Sequence, residues 1–223
     1  MHPFSVEGAA RALWTLEHGL LAIQAMVSCG VWDALVVWFG KQARGVLRHV
    51  DGSYIKLHQH GLQGSKLKRE KQAIGLSRGG MTTKLLAAVG EDGLLCDFVL
   101  CAGNFHDLTA ARLMLESFRG THLVGDKGFD SQAFRQELTE HGAVDSTIPR
   151  KGYQTLDEQP QPFDRQNYAK RHLIENFFQR MKAHKHLALR SDKAASSFAL
   201  RRIHHFRGTP GQNSPRLICE DTA

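Results

Sequence analysis

The sequence predicts an α/β protein, a mixed sheet flanked by helices with a short helical segment in front of it. Apolar and β-branched runs of strand length recur at about residues 46–57, 82–89, 94–100, 121–125 and 143–148. The later runs are separated by helical stretches, which places helices on the faces of the sheet. A long amphipathic stretch at 164–186 closes the order with apolar residues at helical spacing.

Residues 11–40 read as two helices. Gly30 interrupts the first pattern, and Trp32, Leu35, Val36 and Phe39 then recur at helical spacing in the second. The strand at 46–57, LRHVDGSYIKL in its main part, carries Asp51 in its middle. Residues 59–80 are rich in Gly and Lys and read as an exposed basic loop. Two apolar runs, 82–89 and 94–100, flank Gly90-Glu-Asp-Gly93, and the Asp-Gly pair marks a hairpin. A helix at 108–118 follows, with Asp107 as its N-cap. The strand at 121–125 delivers Asp126, and a helix at 131–141 leads to a strand at 143–148. Residues 149–162 form a polar, Pro-containing loop, and from Gly208 onward no periodicity remains, so the tail reads as unstructured.

With 223 residues the chain suffices for one domain with a generous core, and 42% hydrophobic against 23% charged residues is an ordinary globular composition. Disorder of the whole chain is excluded on that basis. A formal charge of +7 favours a polyanionic partner, because Lys and Arg at phosphates release condensed counterions. Cys29, Cys96, Cys101 and Cys219 have neither a CxxC pair nor zinc-ligand spacing, and they read as buried thiols of a reducing compartment. The apolar stretch at 20–39 is broken by Gln24, Ser28, Gly30 and Asp33, so no membrane span is expected and a cytoplasmic location is.

Aspartate is disfavoured inside strands, so Asp51 and Asp126 both call for a reason. An aspartate at the C-terminal end of a strand often faces a functional crevice, although Asp126 also suits a plain turn and Asp130 a cap. In the last helix, an advance of 100° per residue brings Tyr168, Arg171 and Lys182 onto one stripe with Glu175. Leu173, Ile174, Phe177, Phe178 and Met181 fall on a separate, core-facing arc. Lys66, Lys68, Arg69, Lys71 and Arg78 form either a phosphate-contact patch or a solubilising loop. Lys127 is either a phosphate ligand or a solvated lysine. His58 and His60 lack a third ligand at zinc-like spacing and read as surface or DNA-contact residues.

The spacing Tyr168-x2-Arg171-x3-Glu175-x6-Lys182 resembles the Tyr-Arg-Glu-Lys signature of DDE transposases in the insertion sequence four/five superfamily, and is closest to the five group. VDGSYIKLHQHG resembles the first-aspartate block, QAIGLSRGGMTTKL the stretch after it, VGDKGFDS the second-aspartate block and HLIENFFQRMKAHKHLALRSDK the third; the likeness covers about residues 28–200. It implies a ribonuclease H-like fold in which Asp51, Asp126 and Glu175 are catalytic and bind two Mg²⁺ (or Mn²⁺) ions. The reaction implied is phosphodiester cleavage at the ends of an insertion element, followed by strand transfer. No nucleotide cofactor is required, because transesterification conserves the number of phosphodiester bonds. Tyr168, Arg171, Lys182, Lys127, Lys66, Lys68 and Arg69 would contact DNA, both terminal repeats and target, and a homodimer would hold the two ends.

The resemblance divides the chain into 1–44, a helical remnant of an N-terminal DNA-binding region, 45–205, the ribonuclease H-like DDE catalytic domain, and 206–223, an atypical disordered tail. The first block reads DGS where the family commonly has DST. The short N-terminal part predicts that terminal-repeat recognition is missing or supplied by a second polypeptide. A competing reading, a catalytically silent DNA-binding remnant, shares the basic surfaces but has no need of all three acids.

Overall fold

The computed structural model describes residues 45–59, 72–153, 155–156, 159–160, 163–192, 195, 198 and 216–217. The helices expected at 11–40 lie outside these residues, as do His60, Lys66, Lys68, Arg69 and Lys71.

Strand β1 (Leu47–Leu57) is the axis of the fold. It begins where Glu91 Oε1 accepts from the backbone N–H groups of Val46 and Leu47, at 3.0 and 3.1 Å. Its outer flank is β3 (Gly80–Val89), antiparallel, followed by β4 (Leu95–Ala102). The expected hairpin joins them: Gly93, with φ of +73°, closes a turn in which its N–H donates to Gly90 O. On the other side, β5 (His122–Val124) and β6 (Asp145–Thr147) pair in parallel. Together with β2 (Gly75–Ser77) on β3, β7 (Leu189–Arg190) on β1 and β8 (Arg216–Leu217) on β4, these make an eight-stranded sheet of order β6-β5-β1-β3-β4-β8. The mixed sheet flanked by helices is the architecture that the sequence predicts, and it agrees with the ribonuclease H-like fold that the resemblance implies.

Because side chains alternate along a strand, β1 feeds two cores. Val50 faces Ala110 and Ala111 of α1 (Asp107–Arg112) and Phe134 and Leu138 of α2 (Gln132–Glu140). Ile55 points the other way, with Leu85 and Ala87, against Ile174, Phe177, Phe178 and Met181 of α4 (His172–Ala183). Each of the larger buried side chains among them (Val, Leu, Ile, Phe, Met) contributes roughly 1.5–3 kcal/mol of transfer free energy. Asp51 stands on the α4 face, between the apolar positions. No helix among the described residues is long and apolar enough to cross a membrane. Cys96 and Cys101 are buried free thiols, as expected, and burial pushes both up to about 12.

The structure corrects several element boundaries. Part of the expected basic loop, 75–77, is strand β2, stabilised by pairing that composition does not reveal. The expected helix at 108–118 stops at Arg112 and resumes as a 3₁₀ turn, Leu115–Phe118, which turns Met114, Leu115 and Phe118 into the core. Its N-cap is His106, whose Nδ1 accepts from Leu108 N at 3.3 Å, and Asp107 is the first helical residue. The helix expected at 164–186 is three pieces: α3 (Arg165–Ala169), α4, and α5 (Lys185–Ala188). Most of the tail lies outside the described residues; Arg216 and Leu217 within it pair with Val99 and Leu100.

Candidate active site

Register brings the two aspartates together. In the parallel pair β1–β5, His49 is opposite Val124, so two residues further along both chains Asp51 comes abreast of Asp126. Asp51 is still inside β1, whereas the chain at Asp126 has left β5 for a 3₁₀ turn, Lys127–Phe129. Asp126 Oδ1 caps that turn by accepting from Gly128 N at 2.8 Å. The turn role that the sequence left open for Asp126 is thus real, and it coexists with the strand-end position.

Glu175 comes from the first turn of α4, a helix packed against β1 and β3. Apolar packing fixes its phase: Ile174, Phe177, Phe178 and Met181 are buried, so Glu175 lies beside the buried arc and its side chain is 53% exposed. Arg171, one turn earlier, completes the assembly. Its Nη2 donates to Asp51 Oδ2 at 2.8 Å and its Nη1 to Glu175 Oε1 at 3.4 Å. One guanidinium therefore joins a mid-strand aspartate to a helical glutamate.

The electrostatics follow from this geometry. Burial raises the Asp51 carboxyl above its usual range, and the negative charge of Asp126 adds to the rise; Arg171 and the Gly52 N–H oppose it. Arg171 is held charged: its own burial works against the cation, but Asp51, Tyr168, Asp126 and Glu175 outweigh it. Asp51, Asp126 and Glu175 are thus within electrostatic reach of one side chain. They are an all-oxygen donor set, the chemistry that suits a hard divalent cation. Among the described residues, however, no group of three His, Cys, Asp or Glu is arranged to hold an ion. Asp51 is turned to Arg171, and Asp126 to Gly128.

Tyr168 reaches the same line by a different geometry from the expected continuous helix. Between α3 and α4 the backbone tightens to i→i+3 bonds: Arg171 N donates to Tyr168 O and Ile174 N to Arg171 O, at 3.0 and 3.2 Å. In such a turn residues three apart eclipse, so Tyr168 and Arg171 stay in line although the helix is broken. The Tyr168 ring packs on Phe163, with centroids 5.5 Å apart. Lys182, near the end of α4, and Lys127, next to Asp126, are exposed, as is Arg78 at the tip of the β2–β3 hairpin. His58 donates its backbone N–H to Arg190 O at 2.8 Å, beside β7.

Two features near the acids escaped the sequence reading. His49, two residues before Asp51 on the same face of β1, is fully buried. Arg150 and Lys151 follow β6 at the strand-end level of Asp126. Gln159 holds the Arg150 backbone through both N and O, at 2.6 and 3.4 Å, and Asp130 accepts from Lys151 N at 2.8 Å. Both side chains are left exposed on a fixed loop. Basic residues directly after a strand, PRKG, were the available signal.

Comparison with known proteins bears on this arrangement. The sequence profile of the family described as "Transposase DDE domain" matches residues 43–204. A protein of Brucella ovis (strain ATCC 25840 / 63/290 / NCTC 10512), described as a transposase for insertion sequence element IS6501, is 30% identical over 119 residues, covering 53% of this chain and 89% of that one. No solved structure matches significantly. The profile match runs from just before β1 to beyond β7 and takes in each element that positions Asp51, Asp126, Arg171 and Glu175, and on that ground the chain belongs to the DDE transposases of insertion sequences.

Proposed function

We propose that this chain cuts and joins DNA at the ends of an insertion element, with Asp51, Asp126 and Glu175 as its catalytic carboxylates. The observation that carries the reading is the convergence of three acids from three separate elements, β1, the turn after β5 and α4, around the single Arg171 guanidinium. A structural role alone does not call for a desolvated aspartate in the middle of a strand, where its burial is costly. The presence of all three acids within the matched family domain supports the enzyme over a silent DNA-binding remnant.

Asp51, Asp126 and Glu175 would hold Mg²⁺ or Mn²⁺ through their oxygens. When bound there, divalent cations activate a water or a DNA 3′-hydroxyl for attack and stabilise the leaving 3′-oxygen. The chain's own groups orient the DNA. Arg171, with a planar fork that matches a phosphate, and Lys182, on the same helix, bind the backbone near the cut. Tyr168, half-buried on Phe163, offers a ring for a sugar or base to pack against. Lys127, Arg150 and Lys151 extend the cationic rim past Asp126, and Lys66, Lys68 and Arg69 are assigned to the same backbone contacts. A formal charge of +7 fits such a partner. We infer that two copies act together on two DNA ends.

The test is incubation of the full chain with labelled element ends and Mn²⁺. The wild type should nick the DNA. Glu175→Gln should keep DNA binding and lose cutting by about three orders of magnitude, roughly 4 kcal/mol of transition-state stabilisation. Binding without cutting by the wild type overturns the enzyme reading.

A further inference from the structure

Arg171 occupies the point where β1 and α4 meet, and its guanidinium is divided between two acids. Nη2 lies 2.8 Å from Asp51 Oδ2, and Nη1 lies 3.4 Å from Glu175 Oε1. The side chain is 21% exposed, and its Nε is buried with no hydrogen-bond partner among the described residues. The usual arrangement sets both arms of the fork on one carboxylate. Here the fork is split across a strand and a helix, so it fixes the distance between them. It also places a permanent positive charge on the oxygens that a divalent cation would need. Arginine cannot withdraw by losing its proton, because its pKa is far above any working pH. It can leave Asp51 only by finding another anion, and a phosphodiester fits the same fork.

We propose that Arg171 is the resident counter-cation of Asp51 and Glu175, that it competes with divalent metal for their oxygens, and that a DNA phosphate draws it away, so that DNA and metal bind cooperatively. The proposal rests on the metal-binding reading of Asp51 and Glu175 given above. Arg171 is thereby a positioning residue as well as a phosphate ligand. Before DNA arrives it neutralises the acids and keeps β1 and α4 in register. The coupling is reciprocal: a cation on the carboxylates frees Arg171 for the phosphate by the same factor that phosphate binding favours the cation.

The experiment is a calorimetric titration of the full chain with Mn²⁺, with and without a short DNA duplex, with Mn²⁺ binding to the duplex alone subtracted. For the wild type, DNA should tighten Mn²⁺ binding by about tenfold, within the ordinary range of coupling between two sites. Arg171→Gln should bind Mn²⁺ more tightly than the wild type without DNA, and gain little when DNA is added. A purely structural arginine would give the reverse, a weaker site on removal. Arg180→Gln removes an equal charge from within α4, away from the acids, and should leave Mn²⁺ affinity unchanged. Asp51→Asn should abolish the binding. If Asp51→Asn loses Mn²⁺ but Arg171→Gln matches the wild type, the competition is overturned while the metal site stands. An absence of Mn²⁺ binding in both wild type and Arg171→Gln overturns both. The wild-type arm decides the cooperativity even if a variant fails to fold, since no tightening by DNA contradicts it.

Discussion

His49 is fully buried in β1, and neither ring nitrogen has a hydrogen-bond partner among the described residues. Burial lowers its pKa from 6.5 to about 4; Lys170, His172 and His122 push in the same direction and Glu91 opposes them. Between these two values the unfolded chain binds a proton that the folded chain refuses, so stability rises with pH across that window. The contribution is complete above pH 6.5 and is lost as pH drops toward 4, amounting to about 3 kcal/mol. Urea midpoints of the wild type should decline from pH 7 to 4.5, and His49→Leu should flatten that decline. A variant with the wild-type slope would clear His49 of the effect. Sequence reading passed over this residue because a histidine in a strand signals nothing until its surroundings are known.

At the scale of elements, the junction of β1 with α1 leaves no room for a side chain at residue 52. A Cβ on Gly52 would lie 2.8 Å from Asp107 Oδ1. That carboxylate pairs at 3.0 Å with Lys84, whose side chain is only 4% exposed and also lies 4.9 Å from the Tyr54 ring centre. Glycine here leaves room for the ion pair that docks α1 on the sheet. Gly52→Ala should therefore cost about 1–3 kcal/mol in denaturant unfolding by displacing the partner of a buried cation. In an Asp107→Ala background the added methyl should cost less, so additive losses would refute the clash. The α3–α4 junction teaches a related lesson. The Tyr168, Arg171 and Glu175 alignment was legible from spacing alone, because both helical and 3₁₀ geometry bring residues three or four apart onto one side. The break itself was not legible, because no proline or glycine marks it.

For the whole molecule, Arg190 ties the C-terminal part of the domain to the sheet. It is fully buried, donating from Nη1 to Gln72 O and Thr83 Oγ1 at 2.8 and 2.5 Å and from Nε to Asp192 O, with Phe198 5.1 Å from its carbon centre. It thereby joins β7, β3 and the turn at Ala73, a non-glycine residue held at φ of +53°. Arg190→Leu should lower unfolding free energy by about 3–5 kcal/mol, since the polar groups it satisfies would be stranded in the core. Arg190→Lys should rescue little, because an ammonium cannot reach several partners in a plane. Near-wild-type unfolding of Arg190→Leu would show that the network is dispensable.

The sequence by itself determined the alternation of strands and helices, and it singled out Asp51, Asp126 and Glu175. Those signals are local: strand periodicity, an aspartate where strands avoid one, and fixed spacings on a helix. Only the tertiary structure decided that Arg171 reaches Asp51, 120 residues earlier in the chain. It alone decided that Asp126 caps its own turn, and that Gly52 makes way for Asp107. Such contacts depend on strand register and on the angle at which α4 crosses β1. Neither is encoded in any short window of residues, because both are set by packing two cores on opposite faces of one sheet at once.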